Sequence, residues 1–287
     1  MSRISLYLLL LLNLALLAAP RAAQAAESYD NCAGTIATLP TVISTPGTWC
    51  LNQNLSTGIT SGNAIAITTN DVTLNCNDFT ISGLTAGVGT AAYGIAAANR
   101  LNVTVRHCNV RGFYYGVSLS GGSGHTVEDN RLDGNTYVGM RVDGNRSVVR
   151  RNLIIDTGGS TIVANAFGMT TNASVDILDN SVSGVIARAN GNGYVYGIIT
   201  ATNTSGSVSG NRVRELLKDG TGFAYGIWNN TSGRIILRNN DLLGTGATGT
   251  TGMRCANSTG SASDNVINGF VAGLPGCSND GGNVISP

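Results

Sequence analysis

Lysine is almost missing from this chain: Lys218 stands alone beside 16 arginines, and charged residues of all kinds make up only 11%. The net charge is +1 and no basic block interrupts the sequence. Phosphate backbones are held by clustered cations, so this distribution excludes a nucleic-acid partner. Histidine is limited to His107 and His125, and no CxxC pair occurs, which removes the usual zinc-ligand spacings. No cluster of aspartates suggests calcium, so no metal and no cofactor is expected. Proline is scarce, at 5 residues, whereas glycine reaches 39. Apolar residues nowhere recur at the three-to-four spacing of an amphipathic helix.

What is present starts with a leader. Arg3 supplies a positive start, Ile4 to Ala19 is almost continuously apolar, and Ala23-Gln24-Ala25 places small residues around a cleavage point. That order predicts a secretory signal peptide over residues 1–25. The apolar run falls short of the ~20 residues that a membrane span needs. No cysteine sits at the cleavage point, so a lipid anchor is not indicated, and cleavage after Ala25 leaves a secreted or periplasmic chain. All six cysteines lie beyond it, and an even count behind a leader reads as disulfides.

The mature chain repeats itself. One phrase is an aromatic or small residue, then Gly, then Ile, Val or Met: Tyr93-Gly94-Ile95, Tyr115-Gly116-Val117, Val138-Gly139-Met140, Phe167-Gly168-Met169, Tyr196-Gly197-Ile198, Tyr225-Gly226-Ile227 and Thr251-Gly252-Met253. A second phrase sets aliphatics around a turn residue: Asn77, Cys108, Asn130, Asn152, Asn180, Asn211, Asn240 and Asn265, with Asn283 a weaker ninth. The phrases alternate, and between them lie short period-two strands such as Val103-Thr104-Val105 and Val175-Asp176-Ile177. Three short strands and an Asn turn in each period build a parallel coil whose aliphatics point inward. Asn suits the turn because it tolerates left-handed backbone angles, and stacked amides can bond one another.

On these motifs, residues from about Ala64 to Asn283 resemble the right-handed parallel β-helix proteins of the pectate-lyase-like superfamily. The opening Cys32 to Gly83, with Leu39-Pro40, Pro46-Gly47 and Asp71-Val72-Thr73-Leu74, is similar to the start of uncharacterised secreted members. The resemblance implies an all-β, single-domain solenoid of about eight coils over 64–287, with 26–63 as an N-terminal capping segment. It leaves activity open, because the superfamily holds lyases, hydrolases, epimerases and noncatalytic adhesins. Cys76 and Cys108 sit at or beside the turn of successive coils, and Cys255 and Cys277 are about one coil apart. The expected pairs are therefore Cys32–Cys50, Cys76–Cys108 and Cys255–Cys277.

Loop length singles out one face. The distance from repeated Gly to the next turn residue is 14 for Gly94 to Cys108, Gly116 to Asn130, Gly197 to Asn211 and Gly226 to Asn240. From turn residue to Gly it varies from 8 (Cys108 to Gly116) to 17 (Asn180 to Gly197), so insertions collect ahead of the Tyr-Gly-Ile strand. The loops are read as Leu84–Ala92, Asp156–Ala166, Gly184–Val195, Glu215–Ala224 and Gly244–Thr250. In the lyases that the chain resembles, that corner borders the polysaccharide cleft. Alternation makes Ser118, Arg141, Asp143, Trp228, Asn230 and Arg254 outward-facing there. They form the candidate glycan site, a notch floored by Ser118, Arg141 and Asp143 with an exposed indole platform at Trp228. An Arg fork suits a uronic acid carboxylate, and an indole suits the apolar face of a sugar.

Glycoside hydrolysis needs two carboxylates about 5–10 Å apart. On this face Asp143 is the one acid, and the tandem aspartates and Gly-His-Gly of polygalacturonases are absent. A lyase needs a base and a group that neutralises the acid, for which Arg141, Arg254 and His125 are the candidates. The reading is thus a monomeric, noncatalytic scaffold that binds a polysaccharide or cell-surface glycan. The alternative is a lyase acting on an acidic polysaccharide.

Overall fold

The computed structural model describes residues 31–201, 205–256 and 260–287. The leader expected over 1–25 lies outside the described residues. From Cys32 to Pro287 the chain forms one compact unit, a right-handed parallel β-helix of about nine turns with essentially no helix. That is one coil more than the repeat count suggested. Three parallel sheets run its length. Sheet A has nine strands, from Thr41–Ile43 to Thr250–Cys255, and contains the Tyr-Gly-Ile phrases. Sheet B has eleven, from Gly34–Ile36 to Ser278–Asn279, and sheet C ten, from Leu55–Ser56 to Val284–Ser286. The opening segment is wound into the same ladders: Gly34–Ile36 pairs with Gly47–Leu51, and Thr41–Ile43 with Asn63–Ile67.

Each strand buries one row of side chains. In sheet A the inward row runs Ile65, Ile95, Val117, Met140, Met169, Ile198, Ile227 and Met253, all essentially inaccessible. Each such side chain contributes about 1.5–3 kcal/mol through burial. The glycines of the repeated phrase are required by the same packing. A Cβ on Gly168 would meet Val182 Cγ1 at 2.4 Å and Gly197 O at 2.6 Å, and Gly252 is crowded by Ile267 in the same way. The strand of sheet A starts where the next coil's sheet C aliphatic fills the corner, leaving no room for a side chain.

The turn from sheet B to sheet C carries the amide ladder that the Asn phrase implied. Asn130 Nδ2 donates to Asn152 Oδ1 at 2.9 Å, Asn152 to Asn180 at 2.9 Å and Asn180 to Asn211 at 3.0 Å. Asn211, Asn240, Asn265 and Asn283 continue the ladder at 2.8–3.1 Å. Asn77 has the left-handed backbone expected of it, with φ 48°, but at the later turns that conformation belongs to the preceding residue: His107, Asp129, Arg151, Asp179, Gly210, Asn239 and Asp264, with φ between 52° and 70°. That residue reverses the chain, so the Asn after it keeps ordinary angles and turns its amide into the stack.

The three cysteine pairs are joined as expected. Cys32–Cys50 has Cα atoms 5.8 Å apart, Cys76–Cys108 4.7 Å and Cys255–Cys277 4.8 Å. Bonds near each end hold coils that have a neighbour on one side only. Replacing both Cys76 and Cys108 by Ser is expected to lower stability by about 2–3 kcal/mol, because the bond closes a long loop in the unfolded chain. A urea unfolding midpoint that does not move would contradict this. Among the described residues no helix is long and apolar enough to cross a membrane, and no group of three or more His, Cys, Asp or Glu could hold a metal ion.

Candidate functional site

Sheet A presents three outward features, and each follows from its register. The row just before the repeated glycines runs Asn63, Tyr93, Tyr115, Val138, Phe167, Tyr196, Tyr225 and Thr251. Its rings join those of Tyr114, Tyr137, Tyr194 and Phe223 from the preceding corner. Tyr93 and Tyr115 have centroids 4.7 Å apart, Tyr114 and Tyr137 4.7 Å, Phe167 and Tyr196 4.7 Å, and Tyr196 and Tyr225 5.3 Å. Tyr115–Tyr137 and Tyr137–Phe167 close the gap left by Val138 through edge contacts at 5.5 and 5.4 Å. An unbroken aromatic ridge results, with Phe223 its most exposed ring at 41%.

Beside the ridge lies the row Ala66, Ala96, Ser118, Arg141, Thr170, Ile199, Trp228 and Arg254. Its first members are small, so a trough of about 300 Å³ opens between Tyr93 and Arg100, floored by Ala66, Ala96, Ala98 and Ser118. Arg100 is fixed as a wall, donating to the carbonyls of Ala98 at 2.8 Å and Thr68 at 3.0 Å. Ser118 is only 5% exposed and belongs to the floor. At the next rung Arg141 ends the run of small side chains.

Arg141 and Asp143 act as a unit. Arg141 Nε donates to Asp143 Oδ2, and Asp143 Oδ1 accepts the Asn172 backbone N–H at 2.8 Å. The Asp143 side chain is 8% exposed against 34% for Arg141. Asp143 therefore orients the guanidinium, and little of its own carboxylate is left accessible. Arg141 also lies against the Tyr115 hydroxyl.

The remaining candidates form a second group, four to five rungs from Ser118 or ~19–24 Å at the usual strand spacing. Trp228 stacks on Tyr225 at 4.8 Å and Tyr196 at 5.3 Å, while Arg254 covers its ring at 5.4 Å and donates to the Tyr225 hydroxyl at 3.1 Å. The indole Nε1 is buried without a partner. The exposed platform expected at Trp228 is thus corrected: the ring is half-buried, because neighbouring rungs place two rings and a cation around it. Asn230 is exposed at the end of its strand. Thr170 and Ile199 occupy the row between the two groups.

The loops frame this face, though two are shorter than read, since strands Ser181–Ile186 and Arg212–Leu217 extend into them. Successive loops are tied together: Asp219 Oδ2 accepts the N–H groups of Gly191 at 2.8 Å and Asn192 at 3.0 Å, and Asn192 Oδ1 accepts Thr221 N–H at 3.0 Å. Tyr194 and Phe223 stack on that wall at 5.6 Å.

The face has little acid–base chemistry. His125, a candidate base, is 1% exposed; its Nδ1 accepts Val103 N–H at 3.3 Å and its Nε2 meets Gly121 O at 3.0 Å. Burial also lowers its pKa. It is a satisfied core residue. Burial raises the Tyr115 hydroxyl to about 12, helped by Tyr137 and Tyr93 and opposed by Arg141. A folded-state pKa above the unfolded value of 10 means that the folded chain holds its proton longer. Its contribution to stability is complete below pH 10 and is lost as pH rises toward 12. Tyr196 shifts in the same direction by burial and then by Tyr225. The melting temperature is expected to fall through that alkaline window, and less steeply in Tyr115→Phe; identical slopes in the two proteins would contradict the assignment.

A larger concavity of about 780 Å³ lies on the outer face of sheet B, beside Asp176, Arg234, Ile236 and Asp280. Its carboxylates are already engaged, Asp176 by Ser207 N–H and Asp280 by the hydroxyls of Ser261 and Ser278. Size alone does not make it the better site.

Comparison with known proteins agrees with this architecture. No curated protein sequence matches the chain. Among solved structures, a mutant tailspike protein of E. coli bacteriophage HK620 in complex with a pentasaccharide superposes with a TM-score of 0.50 at 13% identity, over 88% of this chain and 60% of that one. The A-module of an Azotobacter vinelandii mannuronan C-5 epimerase gives 0.45 at 14% identity, over 88% and 87%. The catalytic domain of an α-1,3-glucanase in complex with nigerose gives 0.41 at 12%, over 89% and 60%. At such identities the likeness is one of fold. The chain spans 50 to 60% of the length of the first structures it matches. The right-handed β-helix region family matches residues 52–213, more than half of the sequence, and the chain belongs to that family.

Proposed function

We propose that this protein is a noncatalytic, secreted or periplasmic glycan-binding β-helix that lays a polysaccharide along the outer face of sheet A. The observation that carries the reading is the aromatic ridge beside a trough of small side chains that ends at the oriented Arg141 guanidinium. Rings offer apolar contact to sugar faces at low entropic cost, and a guanidinium held on one edge keeps its other edge for a carboxylate or hydroxyl. Three disulfides suit an oxidising compartment. The pentasaccharide complex of a tailspike with the same fold is in keeping with a glycan ligand.

A lyase would need a base near the trough. The Tyr115 hydroxyl is held protonated, His125 is buried elsewhere, and Asp143 is occupied by Arg141 and Asn172. Only Arg141 favours that alternative.

The test is retention of the purified mature protein in gels containing acidic or neutral polysaccharides, with release of unsaturated or reducing ends followed in parallel. Retention without cleavage is expected. Arg141→Gln is expected to weaken retention by an acidic polysaccharide at least tenfold, in line with ~1.5–3 kcal/mol for a hydrogen bond to a charged group. Tyr93→Ala removes the trough wall and leaves the Arg141–Asp143 pair intact, and it should weaken retention too. Product that accumulates with wild type and vanishes with Arg141→Gln would make the protein an enzyme and overturn the reading.

A further inference from the structure

The outer face of sheet C carries a second concavity, remote from the trough and built from different chemistry. It measures about 220 Å³ and is lined by Thr80, Asn109, Val110, Arg111, Arg131 and Asp133. At ~30 Å³ per water it holds about seven waters, which is room for one small polyatomic ion with part of its hydration. Register explains its composition. Thr80, Asn109 and Arg131 follow one another in one outward row, and Ser82, Arg111 and Asp133 in the next. The following coil presents Leu153 and Ile155, so the two guanidiniums stand on neighbouring rungs with an apolar border on that side.

The charges do not cancel. Arg131 Nη2 meets Asp133 Oδ2 at 3.3 Å. Arg111 is Asp133's register neighbour, yet no carboxylate lies within ion-pairing distance of it among the described residues. Its Nε is shut off from solvent and has no hydrogen-bond partner. Two arginines and one aspartate leave the cavity at +1. Water does not reach that Nε–H, so an ion in the cavity would be met by the terminal Nη groups of Arg111, whose charge no carboxylate balances. On sheet B, Arg150 and Arg151 reach Glu128 and Asp129 at 2.7 Å, whereas Arg106 Nε is buried without a partner as Arg111 Nε is.

We infer that this cavity on sheet C binds an oxyanion, a sulfate or phosphate group, between Arg111 and Arg131. The planar forks of two arginines present several N–H groups to tetrahedral oxygens, which a pair of lysines could not do with the same geometry. Asp133 limits affinity by competing for Arg131, so the site rejects a weakly held anion such as chloride and keeps one that satisfies both forks.

The experiment is a titration of the mature protein with sodium sulfate or sodium phosphate at constant ionic strength, with sodium chloride as the reference. Arginine Nε–Hε resonances are followed by nitrogen–proton correlation spectra. Saturable shifts at Arg111 and Arg131 are expected. Arg111→Gln should raise the dissociation constant at least tenfold, while Asp133→Asn should lower it several-fold by freeing Arg131. Arg238→Gln, exposed on sheet B, should leave it unchanged. The better-retained ion identifies the ester to look for on the natural ligand. Shifts that grow linearly without saturation, an Asp133→Asn variant that binds more weakly, or equal binding by Arg111→Gln would each overturn the assignment. The opposed directions of Arg111→Gln and Asp133→Asn separate binding from any general loss of structure.

Discussion

Asn180→Ala is expected to lower the unfolding free energy by about 3–5 kcal/mol, the largest loss from any single truncation considered for this fold. The Asn180 side chain accepts the Asn152 backbone N–H at 2.9 Å and the Asn152 amide at 2.9 Å. It donates to Val149 O and to Asn211 Oδ1, each at 3.0 Å. The residue is 1% exposed, so water cannot replace those partners. Alanine leaves the Asn152 N–H and the Val149 carbonyl buried and unpaired, at roughly 1–3 kcal/mol each, and adds a small cavity. Coils of a solenoid contact only their neighbours, so the damage falls on the junctions around Asn180. Urea unfolding should show a lower midpoint and a broadened or split transition, because the halves on either side become less coupled. Asn230→Ala, at an exposed strand end, should stay within ~0.5 kcal/mol of wild type. Equal midpoints for the two variants would show that the ladder is decorative.

Gly197→Ala should destabilise by about 3 kcal/mol, at the upper end for overpacking, because the obstruction includes backbone. A Cβ at this position would lie 2.4 Å from Val213 Cγ1 and 2.5 Å from Gly226 O, both supplied by the following coil. Val213 is itself fully buried, and Gly226 O is held in the next strand of sheet A. Relief requires the coil to move away, which strains Tyr196 on Tyr225 and the contacts of Trp228. A thermal melt should record the loss, and ring-current shifts of Tyr196 and Tyr225 should record the displaced stack. Unchanged ring shifts with an unchanged melt would contradict the packing explanation for the repeated glycine.

Much of this architecture is legible in the sequence because a coil has one period and every residue has a fixed neighbour one period away. That is why the Cys76–Cys108 and Cys255–Cys277 pairs and the amide ladder from Asn130 to Asn283 could be read without coordinates. Features that depend on side-chain direction at the corners were not legible. Except at Asn77, the left-handed residue lies one position earlier than the residue that marks the turn, because the reversal precedes the inward-pointing amide. The aromatic ridge was hidden in plain view: Tyr93, Tyr115, Phe167, Tyr196 and Tyr225 served as markers of the repeat, while Tyr114, Tyr137, Tyr194 and Phe223 join them from corners whose lengths differ. Outward direction at Asp143 was read correctly from alternation, but not its engagement by Arg141 and by Asn172 N–H from the next coil. Likewise the lone Arg111 on sheet C reads as half of a sign alternation with Asp133 until its side chain is located.

The most direct test of the account is a crystal structure of the mature protein with an oligosaccharide cut from whichever polysaccharide retains it in gels. The sugar chain is expected intact along sheet A, one ring against Tyr93 and Tyr115 and a carboxylate or hydroxyl on Arg141. An oligosaccharide seated on sheet B or sheet C instead, or one found cleaved beside Arg141, would contradict it.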